Sequence, residues 1–261
     1  MNFAILYSLK DEAGINIAKQ LKEHFMPQVQ IIELKKDSIH SENIDKDSRL
    51  KNIDFLIFAT KHQSSAKVPS LSLHAPGNWR NADFGGKPGK VCPTSSQALK
   101  FLFQKLYKNA KTSNHNITLE VTHHGPLINK PCCFIEIGSN KEHWNNQELG
   151  KIIAKTIIEF QNFSKQQVKT AIGIGGPHYC PNFNKIQLSE KSNIAISHII
   201  PEYCLPLTQP MLEQALEKTE EHTSLILLDW KGLGNQELKQ KTLDILDKSG
   251  IPYKRTKEIE K

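Results

Sequence analysis

Phe3 to Tyr7, Val29 to Leu34 and Phe55 to Ala59 are short apolar runs bounded by polar residues, and between the first two Ile15, Ala18, Leu21 and Phe25 recur at helical spacing. Runs of this length read as buried strands, and the recurrence as the inner face of a helix from about Asp11 to Phe25. Repeated strand, helix and strand point to a parallel sheet covered by helices. Beyond a charged, weakly patterned stretch up to Leu50, Pro93-Thr-Ser introduces a helix from Ser95 to Lys108 with Leu99, Leu102, Phe103 and Leu106 on its apolar side. Asn-Asn opens another helix from about Asn145 to Phe160. Strands are expected around Val121 and Ile135, at Thr170 to Gly175, Ile194 to Ile200 and Leu225 to Leu228, and helices near Phe183 to Leu188, Gln209 to Lys218 and Asn235 to Lys248. No internal repeat interrupts this alternation. One three-layer α/β/α domain over residues 1–261, with a mostly parallel or mixed central sheet, accounts for it with the fewest assumptions.

Residues 61–91 break the pattern. The stretch has neither periodicity, is rich in Ser, Pro, Gly, His and Asn, and contains Leu73-His-Ala-Pro-Gly-Asn-Trp79. Long loops in compact domains tend to bind something, and the imidazole and indole here favour binding over disorder. The plainer reading is an Ω-type loop whose Trp79 packs against the body.

Charge adds a partner class. Lys+Arg 34 against Asp+Glu 27 gives a formal net charge of +7, which suits a polyanion such as RNA, or equally a solvated lysine-rich surface. No run approaches the ~20 apolar residues needed to cross a bilayer. The N-terminus lacks the basic start and cleavage pattern of a signal peptide. The 5 cysteines follow no disulfide rhythm, so a reducing, cytoplasmic address is expected.

The candidate chemistry gathers at three strand ends. Glu120-Val-Thr-His-His-Gly-Pro126 and Ile135-Glu-Ile-Gly-Ser139 alternate like strands and then turn polar, and Gly175-Gly-Pro-His-Tyr-Cys-Pro181 follows a third strand-like run. His123, His124, His178, Glu120, Glu136 and Cys180 supply the imidazole, carboxylate and thiolate set that binds zinc. No spacing is of the HExxH or CxxC kind, so the same histidines could instead grip a phosphate or ribose, or serve as acid-base groups. Adjacent His123 and His124 would point to opposite faces of a strand unless the strand has ended before them. Cys180 is a second candidate nucleophile or a packing residue, His198 reads as a hydrogen-bonded core histidine, and His24, His40, His62, His115 and His222 are given no role. Gly173, Gly175 and Gly176 resemble part of a dinucleotide fingerprint, but Pro177 and Pro181 prevent the helix that fingerprint needs.

Taken together, His74-Ala-Pro-Gly-Asn-Trp79, Glu120-Val-Thr-His-His-Gly-Pro126, Glu136-Ile-Gly-Ser139 with Trp144, Gly175-Gly-Pro-His-Tyr179 and Asp229-Trp-Lys-Gly232 resemble the D-aminoacyl-tRNA deacylases of the archaeal and plant type, in family order from the first strand nearly to the C-terminus. The resemblance implies hydrolysis of the ester between a D-amino acid, such as D-tyrosine, and the terminal ribose of tRNA, with zinc as cofactor and a fold like the phosphorylase/peptidyl-tRNA hydrolase architecture. On this reading His123, His124 and His178 hold one or two zinc ions with Glu136 or Glu120, and N–H groups of a Gly175-Gly176 turn steady the tetrahedral intermediate. His74, Asn78 and Trp79 hold the terminal adenosine, Trp79 by stacking, and Tyr179 adds a substrate contact. A zinc-dependent aminopeptidase-like hydrolase and a non-catalytic RNA-binding protein are the alternatives.

Overall fold

The structure, a computed structural model, describes residues 1–24, 26–64 and 67–259. Along the chain run β1 (Phe3–Ser8), α1 (Glu12–Lys22), β2 (Gln30–Leu34), β3 (Phe55–Gln63), β4 (Ser70–His74), β5 (Gly77–Asn78), β6 (Lys90–Val91), α2 (Ser96–Asn109), β7 (Asn116–Leu119) and β8 (Cys132–Ser139). They are followed by α3 (Lys141–Trp144), α4 (Gln147–Glu159), β9 (Lys169–Gly176), α5 (Pro181–Leu188), β10 (Ile194–Pro201), α6 (Gln209–Glu217), β11 (Thr223–Leu228), α7 (Gln236–Ser249) and β12 (Tyr253–Arg255). The helix starts are set by side chains that accept orphan backbone N–H groups: Asp11 caps α1, Ser95 caps α2, Asn146 caps α4 and Asn235 caps α7. Phe25, expected at the end of α1, lies outside the described residues.

The α/β class is as the pattern implied, but the strands divide between two sheets. A six-stranded mixed sheet has the order β2-β1-β3-β8-β4-β7, with only the β4–β8 pairing antiparallel, and a four-stranded parallel sheet has the order β10-β9-β11-β12. Helices α1, α2, α4 and α5 bury their apolar faces in one cluster with Phe3 and Ile5 of β1, Ile57 of β3 and Ile135 of β8, and that cluster also takes in Ala171, Ile196 and Leu227 of the second sheet. Helices α6 and α7 cover the outer face of the second sheet through Met211, Leu212 and Leu246. Among the described residues no helix is long and apolar enough to cross a membrane.

Two expectations change. Residues 61–91 are not one loop: they hold the end of β3, all of β4 and the β5–β6 ribbon. Strand β4 escapes apolar patterning because Ser70, Ser72 and His74 alternate with Leu71 and Leu73, the leucines facing the core and the polar set the opposite face. The strand expected around Val121 stops at Leu119. Beyond it the backbone changes partners, Glu120 N donating to Leu73 O in the first sheet, Val121 N to His178 O and Thr122 N to Ile199 O beside the second. This segment is the crossing between the sheets.

Candidate metal and catalytic site

On the face of the first sheet away from the helices, the sequence runs from apolar to polar along each strand. In β3 the order is Leu56, Phe58, Thr60, His62, and in β8 it is Cys132, Phe134, Glu136, Gly138. Parallel register sets Phe58 beside Phe134, Thr60 beside Glu136 and His62 beside Gly138, while antiparallel β4 sets His74 beside Phe134 and Ser72 beside Glu136. The Phe58 and Phe134 rings stack at 4.6 Å, and the next rings beyond Phe134 are His74 at 5.5 Å and His124 at 4.8 Å. An apolar floor thus gives way to imidazoles and carboxylates at one edge.

The crossing segment completes the cluster. With β7 ended, His124 takes a left-handed φ of 46°, which turns its ring to the same side as that of His123, 4.4 Å away. Gly125 then passes so close to Gly85 and Gly86 that a Cβ would collide with Gly86 N, so only glycine fits here. Its N–H donates to Phe84 O, and Gly77 N–H donates to His124 O, which fixes the pair of histidines between two loops.

Three imidazoles are held in one tautomer. His74 Nδ1 donates to Ala75 O at 3.1 Å, His123 Nδ1 to Val121 O at 2.8 Å and His124 Nδ1 to Gly125 O at 2.7 Å, since a carbonyl can only accept. Each Nε2 is left with its lone pair, and the three histidines bring ligand atoms within 4.8 Å of one another. A second group, His62, Glu120 and His178, meets the same criterion, as does a third of His74, Glu120 and Glu136. Glu120 lies 3.1 Å from His178 Nε2, 3.2 Å from His62 Nδ1 and 3.5 Å from His123 Nε2, while Glu136 accepts from Thr60 Oγ1 at 2.8 Å and lies 3.4 Å from His62 Nδ1.

Burial makes this charge distribution demanding. Both carboxylates are 2% exposed; burial pushes their pKa values up, but His178 and His62 beside Glu120, and His62 and His74 beside Glu136, bring both well below the usual range. Burial lowers the pKa of His62, and the two carboxylates more than reverse it, to about 9. Burial, then the nearby His74, push His124 down to about 4 and His123 well below its ordinary value. His74 is raised against its burial by Glu136 and Glu120, yet its Nε2 has no hydrogen-bond partner, Glu136 Oε1 lying 3.8 Å away. Both oxygens of Glu120 likewise sit at ion-pair distance without an aligned hydrogen bond. Buried polar atoms are normally satisfied, so orphaned acceptors converging from imidazole and carboxylate are the donor set a small divalent cation completes. The edge opens to solvent through His178 and His123, whose side chains are 34% and 22% exposed.

The structure brings His123, His124, His178, Glu120 and Glu136 together, and adds two histidines that the sequence reading placed elsewhere. His74 belongs with the ligand atoms and not with a base-binding loop. His62, given no role, bridges both carboxylates and meets Tyr179 OH at 3.2 Å through Nε2. Its signal was present: Thr60 and His62 continue the two-residue alternation of Phe55 to Ala59 into polar territory.

Five residues have other work than expected. Trp79 is buried among Val91, Ile174 and Ile200 and donates from Nε1 to Ile199 O, so it has no free face for a base. Asn78 donates to Gly85 O and tethers its own loop. Gly175 and Gly176 end strand β9 and do not form a turn; a Cβ on Gly175 would meet Leu233 and one on Gly176 would meet Phe183, so close packing explains both. Cys180 is fully buried at the start of α5, its thiol pushed well above the usual range by burial, and it joins none of the ligand groups among the described residues. His198 is the core histidine expected, bonded to Thr122 Oγ1 and Lys218 O.

Comparison with known proteins follows the same outline. Residues 49–254 match the family model described as D-aminoacyl-tRNA deacylase. The chain is 34% identical to a D-aminoacyl-tRNA deacylase of Methanocaldococcus jannaschii over 98% of its own length and 100% of that protein, and 31% identical to one of Pyrococcus furiosus over 93% and 96%. A crystal structure described as a conserved protein of unknown function superposes with a TM-score of 0.90 at 27% identity, covering 98% of this chain and 96% of the other.

Proposed function

The chain belongs to the D-aminoacyl-tRNA deacylase family, and from that premise we propose that it hydrolyses the ester joining a D-amino acid to the terminal ribose of tRNA, at the edge where the two sheets meet. The observation that carries the reading is the convergence of three imidazoles of fixed tautomer on two buried carboxylates beside an opening. Zinc is the cofactor we assign to it, held by His74, His123 and His124, with Glu136 as the adjoining carboxylate. Bound there, zinc supplies Lewis-acid polarisation and charge stabilisation for ester hydrolysis.

The chain's own groups supply the rest. His178 is the most exposed imidazole of the set, and Glu120 stands 3.1 Å behind its Nε2. A carboxylate behind an imidazole orients the ring and stabilises its protonated form, so His178 accepts the proton of the attacking water through the nitrogen turned to the opening. His62, charged at neutral pH and shared by Glu120 and Glu136, keeps two like charges in one buried site. Glu136 is aimed by Thr60. We assign the reaction to the cytoplasm, where tRNA is charged, in keeping with cysteines that are all free among the described residues.

The test is hydrolysis of D- and L-tyrosyl-tRNA beside an unrelated aminoacyl peptide, with elemental analysis of the same protein. Selective loss of the D-ester with zinc in the protein is expected. Equal rates on both enantiomers remove the deacylase reading, cleavage of the peptide moves it to an aminopeptidase, and undiminished activity after complete zinc removal eliminates the metal.

A further inference from the structure

The Asp229-Trp-Lys-Gly232 motif takes no part in the histidine site, yet Asp229, Trp230 and Lys231 line a cleft of ≈ 380 Å³ at the carboxyl ends of β11 and β12, against α5. Ligands of parallel sheets bind at that edge, and His178 follows the end of β9 by two residues, so the cleft and the candidate catalytic edge share one side of the second sheet. One wall is α5, from which Lys185 faces the cleft; the other is built by Lys231 after β11 and Lys257 after β12. All three lysines are exposed, and none is in an ion pair among the described residues.

The other two charged groups of the cleft, Arg255 and Asp229, are already engaged. Arg255 lies over the Trp230 ring at 3.8 Å and keeps Glu258 within 3.9 Å, which makes it a wall. Asp229 is 5% exposed and accepts from Asn182 Nδ2 at 3.0 Å, so its charge is turned into the protein. What remains for a ligand is three cations around one cavity, without a bidentate fork to select a single carboxylate or phosphate. Lysines in that arrangement suit successive charges along a flexible strand.

We propose that this cleft, through Lys185, Lys231 and Lys257, binds the phosphodiester backbone of the single-stranded 3′ end of an RNA. The identification of that RNA as the substrate tRNA rests on the deacylase reading; the binding itself does not. The terminal ester then reaches the histidine edge while the preceding phosphates lie along α5.

The experiment is filter binding of uncharged tRNA to the full chain at salt concentrations from 50 to 200 mM, with wild type, K185A/K231A/K257A, and a charge-matched control, K108A/K111A/K155A, on exposed lysines of α2, α4 and the turn after α2. Each phosphate neutralised contributes a salt slope of about 0.7 to 0.9, so removing three contacts should flatten the slope by about two. Wild-type affinity should therefore fall roughly twenty-fold further across this range than that of the cleft variant. The control should keep the wild-type slope, and hydrolysis of a small D-tyrosyl ester should be unchanged in all three proteins. Equal slopes in wild type and cleft variant, or an equal loss in the control, overturn the proposal. Calorimetric binding of inorganic phosphate with no change in tRNA affinity does the same, because the cleft then holds a free anion. Wild type that leaves D-tyrosyl-tRNA intact while the slopes still differ refutes the deacylase reading and supports the cleft as an RNA site.

Discussion

Replacing Thr60 by valine changes one hydroxyl for a methyl group of nearly the same volume and isolates what positions Glu136. Thr60 Oγ1 donates to Glu136 Oε1 at 2.8 Å, and both residues are nearly inaccessible to water, at 3% and 2%. No solvent can replace the lost donor. A hydrogen bond to a charged group contributes about 1.5–3 kcal/mol, so Thr60→Val should cost about 2 kcal/mol of stability in zinc-free protein. If Glu136 faces a bound ion, the same loss should appear as weaker zinc affinity by about 10- to 100-fold, the range for partners that orient a ligand. Urea unfolding of chelator-treated protein measures the first effect, competition with a chromophoric chelator the second, and Thr60→Ser should restore both. A stability loss with unaltered zinc affinity would leave Thr60 a purely structural partner and remove Glu136 from the ion's surroundings; no change in either would refute the hydrogen-bond argument altogether.

Three further outcomes are expected. His74→Ala, His123→Ala and His124→Ala should each abolish deacylation and reduce bound zinc while leaving the near-ultraviolet circular dichroism intact, and a fully active variant removes that histidine from the chemistry. Trp79→Ala should lower stability by about 3–5 kcal/mol, as large-to-small core changes do, with KM for D-tyrosyl-tRNA unchanged; a raised KM at unaltered stability would return Trp79 to the substrate. Asp11 caps α1 and accepts from Lys61 N, and burial raises its pKa from 3.8 to about 6 in spite of these bonds. The folded state therefore holds this proton more tightly than the unfolded one, and stability falls by about 3 kcal/mol as pH rises through that window. Asp11→Asn removes the fall, so unfolding curves of the two proteins from pH 4 to pH 7 should differ by that slope, and parallel curves would contradict it.

The parts of the fold legible in the sequence are those whose apolar pattern is set locally. Helix α2 is readable from Ser95 and the spacing of Leu99, Leu102 and Phe103, and β10 from the isoleucines Ile194, Ile196, Ile199 and Ile200 that flank Ser197 and His198. Strand β4 is not, because Leu71 and Leu73 alternate with Ser70, Ser72 and His74 on a buried opposite face, which is explained only by Glu136 and Thr118 on neighbouring strands. The division into two sheets is equally hidden, since periodicity reports that a strand is buried and not which strand it pairs with. For the site, residue type alone gathered five of the seven groups. Lys61 and Gln63 give His62 polar, lysine-flanked surroundings, and the imidazole and indole content around Trp79 favours binding although the indole packs in the core.

Why the chemistry sits at the crossing follows from the same alternation. Each strand of the first sheet contributes only every second residue to the polar edge, so β3, β8 and β4 can supply His62, Glu136 and His74 but no adjacent pair. Adjacent ligands require backbone freed from the pleat, which becomes available where the chain leaves Leu119 for the second sheet and its N–H groups turn to His178 O and Ile199 O. Those bonds hold His178, delivered from the end of β9, against Glu120, delivered from the end of β7. Of the seven groups only His178 comes from the second sheet, and its place against Glu120 depends on the crossing. Loosening the crossing, for instance by Gly125→Ala against the backbone of Gly86, should therefore disperse ligands from both sheets at once, so that zinc affinity and D-tyrosyl-tRNA turnover fall together. Measured by chelator competition and deacylation on the same preparation, a loss of one without the other would contradict a site shared between the two sheets.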